Sequence, residues 1–137
     1  MTDQEQSRDL IRGEAFHRFG IATVAILMIL FGVAEIATGF THNFIGVSTT
    51  RSAFSTYANA CVGALYAVAG ILILSMKKKS VAIALGCLAL DVVGRIALVV
   101  TGLFPINTFR QTGAIVAGTT IVIIFAAYIG SKWEHFS

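Results

Sequence analysis

Charge is the first thing this sequence lacks. Only 12% of its 137 residues are charged, about half the quarter or so usual in a soluble domain. Such a chain cannot clothe a solvated surface. With 56% of its residues hydrophobic, it also carries too much apolar area to stay disordered. Proline is nearly missing, one residue against thirteen glycines, a balance that suits closely packed membrane helices better than a loop-rich β protein. The two cysteines, Cys61 and Cys87, show no C-x-x-C or zinc spacing, so disulfide scaffold, thiol relay and structural metal all lose support. Both read as buried apolar side chains. A phosphate-cradling G-x-x-x-x-G-K, a nucleophile elbow and an ordered Ser-His-Asp set are absent.

What is present is four hydrophobic stretches, at about residues 20–41, 55–76, 81–104 and 112–131. Crossing a hydrocarbon core of roughly 30 Å takes about 20 helical residues, and each stretch is that long. They are apolar all round, without the alternation of a closed barrel, so they read as helices. The expected fold is an all-α integral membrane protein, a four-transmembrane-helix bundle over residues 19–132. A polar leader of residues 1–18 precedes it, and a tail of residues 133–137 follows. Leu10, Ile11, Phe16 and Phe19 give the leader's second half the makings of a short amphipathic turn at the interface. The first span follows a polar leader, exceeds the length of an h-region and lacks an A-x-A site, so it does not read as a signal peptide.

The net charge of +3 is a topology signal and not a nucleic-acid patch. Arg8, Arg12 and Arg18, then Lys77, Lys78 and Lys79, then Lys132 fall on one side of a four-span protein. Arg51 and Arg110 fall on the other. This bias predicts that both termini are cytoplasmic, in what reads as the cell membrane. The three lysines also make a minimal connection, so spans two and three should form an antiparallel hairpin. Trp133 and Phe136 stand where aromatic rings favour the interface. Residues 42–54 read as an ordinary polar loop. Spans one and three end alike, in Thr38-Gly39-Phe40 and Thr101-Gly102-Leu103-Phe104, the kind of match that a two-plus-two duplication leaves.

Three ionisable residues interrupt the spans: Glu35, Asp91 and Arg95. Each costs about 2.5–3.5 kcal/mol at mid-helix on the insertion scale, so each needs a partner or a cavity. Asp91 and Arg95 stand four apart with the acid first, the favourable order on a helix. At about 1.5 Å per residue, Glu35 lies roughly 9 Å and Arg95 roughly 13–14 Å below the outer ends of their spans. A guanidinium at that depth can reach both acids. Two carboxylates on one guanidinium leave a formal charge of −1, which in hydrocarbon calls for a proton, a cation or a water-filled opening.

Other polar groups reach the same level. Asn59, Gly63, Tyr66 and Gly70 make one face of span two, Gly113, Ala117 and Thr120 align on span four, and Thr38 and His42 extend the Glu35 face. His17 and His135 both fall near the inner interface, without the i, i+4 partner or companion carboxylate that a metal or haem site would show. No cofactor, metal or nucleic acid is implied.

The small size, the four spans and Ala34-Glu35-Ile36 of span one resemble the small multidrug-resistance exporters, whose first helix carries a glutamate. Their aromatic residues around that glutamate are missing here, the polar leader is extra, and the charge bias speaks against dual topology. The resemblance implies proton-coupled chemistry at Glu35.

The leading expectation is transport or permeation of a proton, cation or small cationic solute. Glu35 would respond to the ion, Asp91 and Arg95 would gate, and Tyr66, Asn59, Thr38 and Thr120 would line the site. Four helices enclose little room, so subunits should combine, as a homo-oligomer or within a larger membrane complex. The rival expectation is an accessory or scaffold subunit whose charged triad is structural. A third, an intramembrane enzyme acting on lipid or quinone, would need carboxylates nearer the headgroups.

Overall fold

A computed structural model describes residues 3–44, 47–48, 53–104 and 106–137, with side chains described except at 3–11, 44, 47–48 and 55. Arg8, Leu10, Ile11, Arg51 and part of the 42–54 loop lie outside the described side chains. Four helices dominate: α1 (Asp3–Thr41), α2 (Ala53–Leu74), α3 (Lys78–Val100) and α4 (Phe109–Ser131). All four are long and apolar enough to cross a membrane. Between α1 and α2, β1 (Asn43–Phe44) pairs antiparallel with β2 (Val47–Ser48) in a two-residue ladder. A single 3₁₀ turn, Trp133–His135, follows α4.

α1 does not begin where the apolar run begins. Its 39 residues continue through the polar leader without a break, giving a rod of about 58 Å at 1.5 Å per residue. Leader and first span form one continuous helix, because between Arg12 and Gly20 neither proline nor a Ser, Thr, Asp or Asn cap interrupts it. α1 ends at His42, which takes a left-handed conformation with φ 54°.

The helices pack in sequence order, α1 on α2, α2 on α3, and α3 more sparsely on α4. Glycine sets the closest approach. A Cβ on Gly32 would stand 2.6 Å from the Gly63 carbonyl oxygen, and one on Gly70 would stand 2.6 Å from the Ala25 carbonyl oxygen. α1 and α2 therefore touch backbone to backbone, as small residues permit. The lysine connection is as short as expected. Met76 turns the chain with φ 55° and Lys77 is extended before α3 begins.

α3 shows how the core is built. Its buried residues are Val81, Ala84, Leu88, Asp91, Arg95 and Leu98, a 3-4-3 seam in which acid and base occupy positions that apolar residues hold elsewhere. The core splits at that level. One apolar cluster gathers Met28, Tyr66, Ile73, Leu88, Val122 and Phe136 on one side, and a smaller one gathers Val62, Leu98 and Phe104 on the other.

Three expectations need correction. Cys61 is exposed and Cys87 only half-buried, because the interhelical seam of α2 runs through Asn59, Val62, Tyr66 and Ala69 instead. Phe136 is 2% exposed and belongs to the core, since the 3₁₀ turn folds it back under the bundle. Gly39 and Gly102 are not equivalent: Gly39 lies in α1 against Asn59, whereas Gly102 turns the chain with φ 73° and open space around it. The matching Thr-Gly pairs therefore mark no shared structural role.

Candidate functional site

Arg95 projects from the α3 seam into the gap between the two apolar clusters. Its Nε donates to Asp91 Oδ2 at 2.9 Å, one turn back on the same helix. Its Nη2 donates to Glu35 Oε2 on α1 at 2.5 Å. One guanidinium thus ties α3 to α1 while fixing its own carboxylate neighbour, the fork geometry at which arginine excels. Both pairs lie where water is scarce, and charge-assisted bonds are strongest there.

The two acids differ in access. The Asp91 side chain is fully buried, whereas that of Glu35 is 18% exposed. Glu35 is thus the more accessible of the two acids. Asp91 Oδ1 is buried and carries no hydrogen bond, and the same holds for the Tyr66 hydroxyl. Tyr66, from α2, lies within electrostatic reach of all three charged residues and stacks on Phe125 of α4, ring centroids 6.5 Å apart. The site therefore holds an acceptor and a hydroxyl still to be satisfied.

The remaining expected members are placed as follows. Asn59 is buried and sits against α1 at Gly39, one turn from Glu35. The Thr38 hydroxyl donates to the Ala34 carbonyl oxygen at 2.9 Å, a bond within its own helix, and none joins it to the triad among the described residues. Thr120 points elsewhere: it is exposed, as are Gly113 and Ala117. α4 meets Arg95 with the adjacent face, where a Cβ on Gly118 would stand 3.3 Å from Arg95 Nη1. Thr119 and Ile115 of α4 join Arg95, Ile96, Val99 and Val100 of α3 around a crevice of about 150 Å³. The small-residue stripe drew attention to the wrong face. α4 packs through bulkier residues such as Val122 and Ile129, and the i, i+4, i+7 row of Ile115, Thr119 and Val122 carries that signal.

At the basic end of the bundle the two histidines expected near one interface do meet. There His17 of α1 and His135 of the 3₁₀ turn lie edge to face, with centroids 4.5 Å apart. Lys132 Nζ is 3.4 Å from His17 Nδ1. Among the described residues, no three His, Cys, Asp or Glu side chains gather as a metal site would require.

Set against protein-family models, curated proteins and solved structures, the chain matches none.

Proposed function

We propose that the protein spans a lipid bilayer and moves, or responds to, a proton or small cation at the Glu35–Asp91–Arg95 site. The observation that carries this reading is the charge balance. Two carboxylates share one guanidinium between apolar clusters, leaving a formal −1 that low-dielectric surroundings disfavour. Glu35, with access, would take the ion first. Asp91, sealed behind Arg95, would receive it only when the guanidinium moves. The unbonded Asp91 Oδ1 and Tyr66 hydroxyl would supply ligands to a cation or acceptors to a proton, with Asn59 in the wall. The excess of basic residues at one end supports an orientation with both termini cytoplasmic. The sparse α3–α4 contact supports assembly with further copies or partners.

Flux through liposomes containing the purified protein tests this, with proton and monovalent-cation gradients applied in turn. Glu35→Gln and Asp91→Asn should each reduce flux at least tenfold. Equal rates for wild type and both variants would overturn the transport reading.

One observation favours a second reading. The Glu35–Arg95 bond joins helices α1 and α3, which otherwise meet little. A triad that only staples these helices would make the protein an accessory subunit of a membrane complex. Under that reading Arg95→Ala lowers thermal stability in detergent and oligomer yield, and no flux exists to change.

A further inference from the structure

The basic end of the bundle is closed by the short segment after α4. Phe136 enters the core. Ser137 donates its backbone N–H to the Met76 carbonyl oxygen at 3.0 Å and accepts from the Lys78 N–H at 2.7 Å. The segment thereby caps the connection between α2 and α3. Its remaining tie, to α1, is the edge-to-face contact of His135 with His17, flanked by Lys132. The segment, α1 and the α2–α3 connection meet here, with the two imidazoles at the contact between the 3₁₀ turn and α1.

We infer that His17, Lys132 and His135 form a proton-operated clasp, which holds the Trp133–Ser137 segment on α1 while both rings are neutral and frees it when they are protonated. The atoms decide the sign. Lys132 Nζ can only donate, so at 3.4 Å from His17 Nδ1 it fits a ring that is neutral and protonated at Nε2. A proton arriving at Nδ1 removes that acceptor and sets imidazolium against ammonium. His135 Nδ1 is buried and carries no hydrogen bond, so a proton there creates a cation with no acceptor. Two protonated rings and Lys132 then place three positive charges around one contact, and opening is the remedy.

Among the described residues no carboxylate is paired with either ring. The charged neighbours that act on His17 are Lys132 from the end of α4 and His135 from the 3₁₀ turn. Glu14 and Arg18, on α1 itself, are exposed, as is Glu134 on the turn. Imidazole is the side chain whose unperturbed charge change falls between about pH 5 and 8. The clasp shares no residue with the triad, and its test is independent of any transport.

Trp133, the single tryptophan, sits in the clasping turn and reports its release. The full chain, purified in lipid nanodiscs, is titrated from pH 8 to pH 5 while Trp133 emission and its quenching by acrylamide are followed. Emission should shift to longer wavelength and quenching should rise as the segment leaves α1, with far-UV circular dichroism unchanged. His17→Gln combined with His135→Gln should abolish the response. His42→Gln, at the other end of α1, should retain it. Lys132→Met keeps the stem and deletes the charge, so the midpoint should move to higher pH. A wild-type protein with no spectral transition, a transition that survives in the double variant, or a midpoint unmoved in Lys132→Met would each overturn the clasp.

Discussion

Arg95 has two partners that stand differently toward water, and substitutions at the triad should expose this. Removing a partner from a buried ion pair costs about 3–5 kcal/mol, because an uncompensated charge stays behind. Arg95→Ala should lose that much stability in detergent unfolding. Arg95→Ala with Asp91→Ala should recover part of it, since the sealed acid no longer needs a counter-charge. The cycle pairing Arg95→Ala with Glu35→Ala should show a coupling of about 0.5–3 kcal/mol; strict additivity in both cycles would mean that the guanidinium serves neither acid. The triad was legible from spacing because i, i+4 and depth along a helix are one-dimensional quantities. The α4 contribution was not. Thr120 and Thr119 differ by one position, a rotation of about 100°, and which faces Arg95 depends on how α4 rolls against α3. Topology put His17 and His135 at the same end, but their ring contact was not legible, because it depends on a 3₁₀ turn that doubles the chain back.

Glycine separates helix contacts from helix surface. Gly63 has the Gly32 carbonyl oxygen 2.7 Å from where its Cβ would be, whereas nothing lies within 4 Å of a Cβ on Gly113. Gly63→Ala must push α2 off α1 and should cost about 1–3 kcal/mol, as overpacked cores do. Gly113→Ala should be neutral or stabilising by up to about 1 kcal/mol, since alanine is the better helix former. Thermal unfolding of the two variants side by side checks this, and equal destabilisation would mean that α1 and α2 are not in backbone contact. Helix existence was readable because each apolar stretch is long, but the ends were set by other forces. α3 begins at Lys78, three residues before the apolar run, with the charged lysine side chains left exposed as they reach past the boundary toward polar surroundings. It stops at Val100, because Gly102 reverses the chain with φ 73°.

The whole molecule is polarised by charge along its long axis. Lys77 precedes α3, Lys78 and Lys79 open it, and Lys132 follows α4 at the same end. Arg110, exposed at the start of α4, is at the other. An α1 of about 58 Å exceeds a hydrocarbon core of about 30 Å, so its arginine-bearing first half must project beyond any bilayer that the apolar half occupies. Positive charge resists translocation, so under the proposed orientation that projection, the lysine hairpin and the clasp would lie together on the cytoplasmic side. Cysteine labelling in intact cells checks it, in a background with Cys61→Ala and Cys87→Ala, because Cys61 is itself exposed. Ser48→Cys should react with an impermeant maleimide, and Lys78→Cys should react only after the membrane is opened. The reverse pattern would turn the molecule over. Glu35 lies closer to the ladder end of α1 than to its start, so its exposed edge would then face the cell interior, and any cation would be taken up from that side.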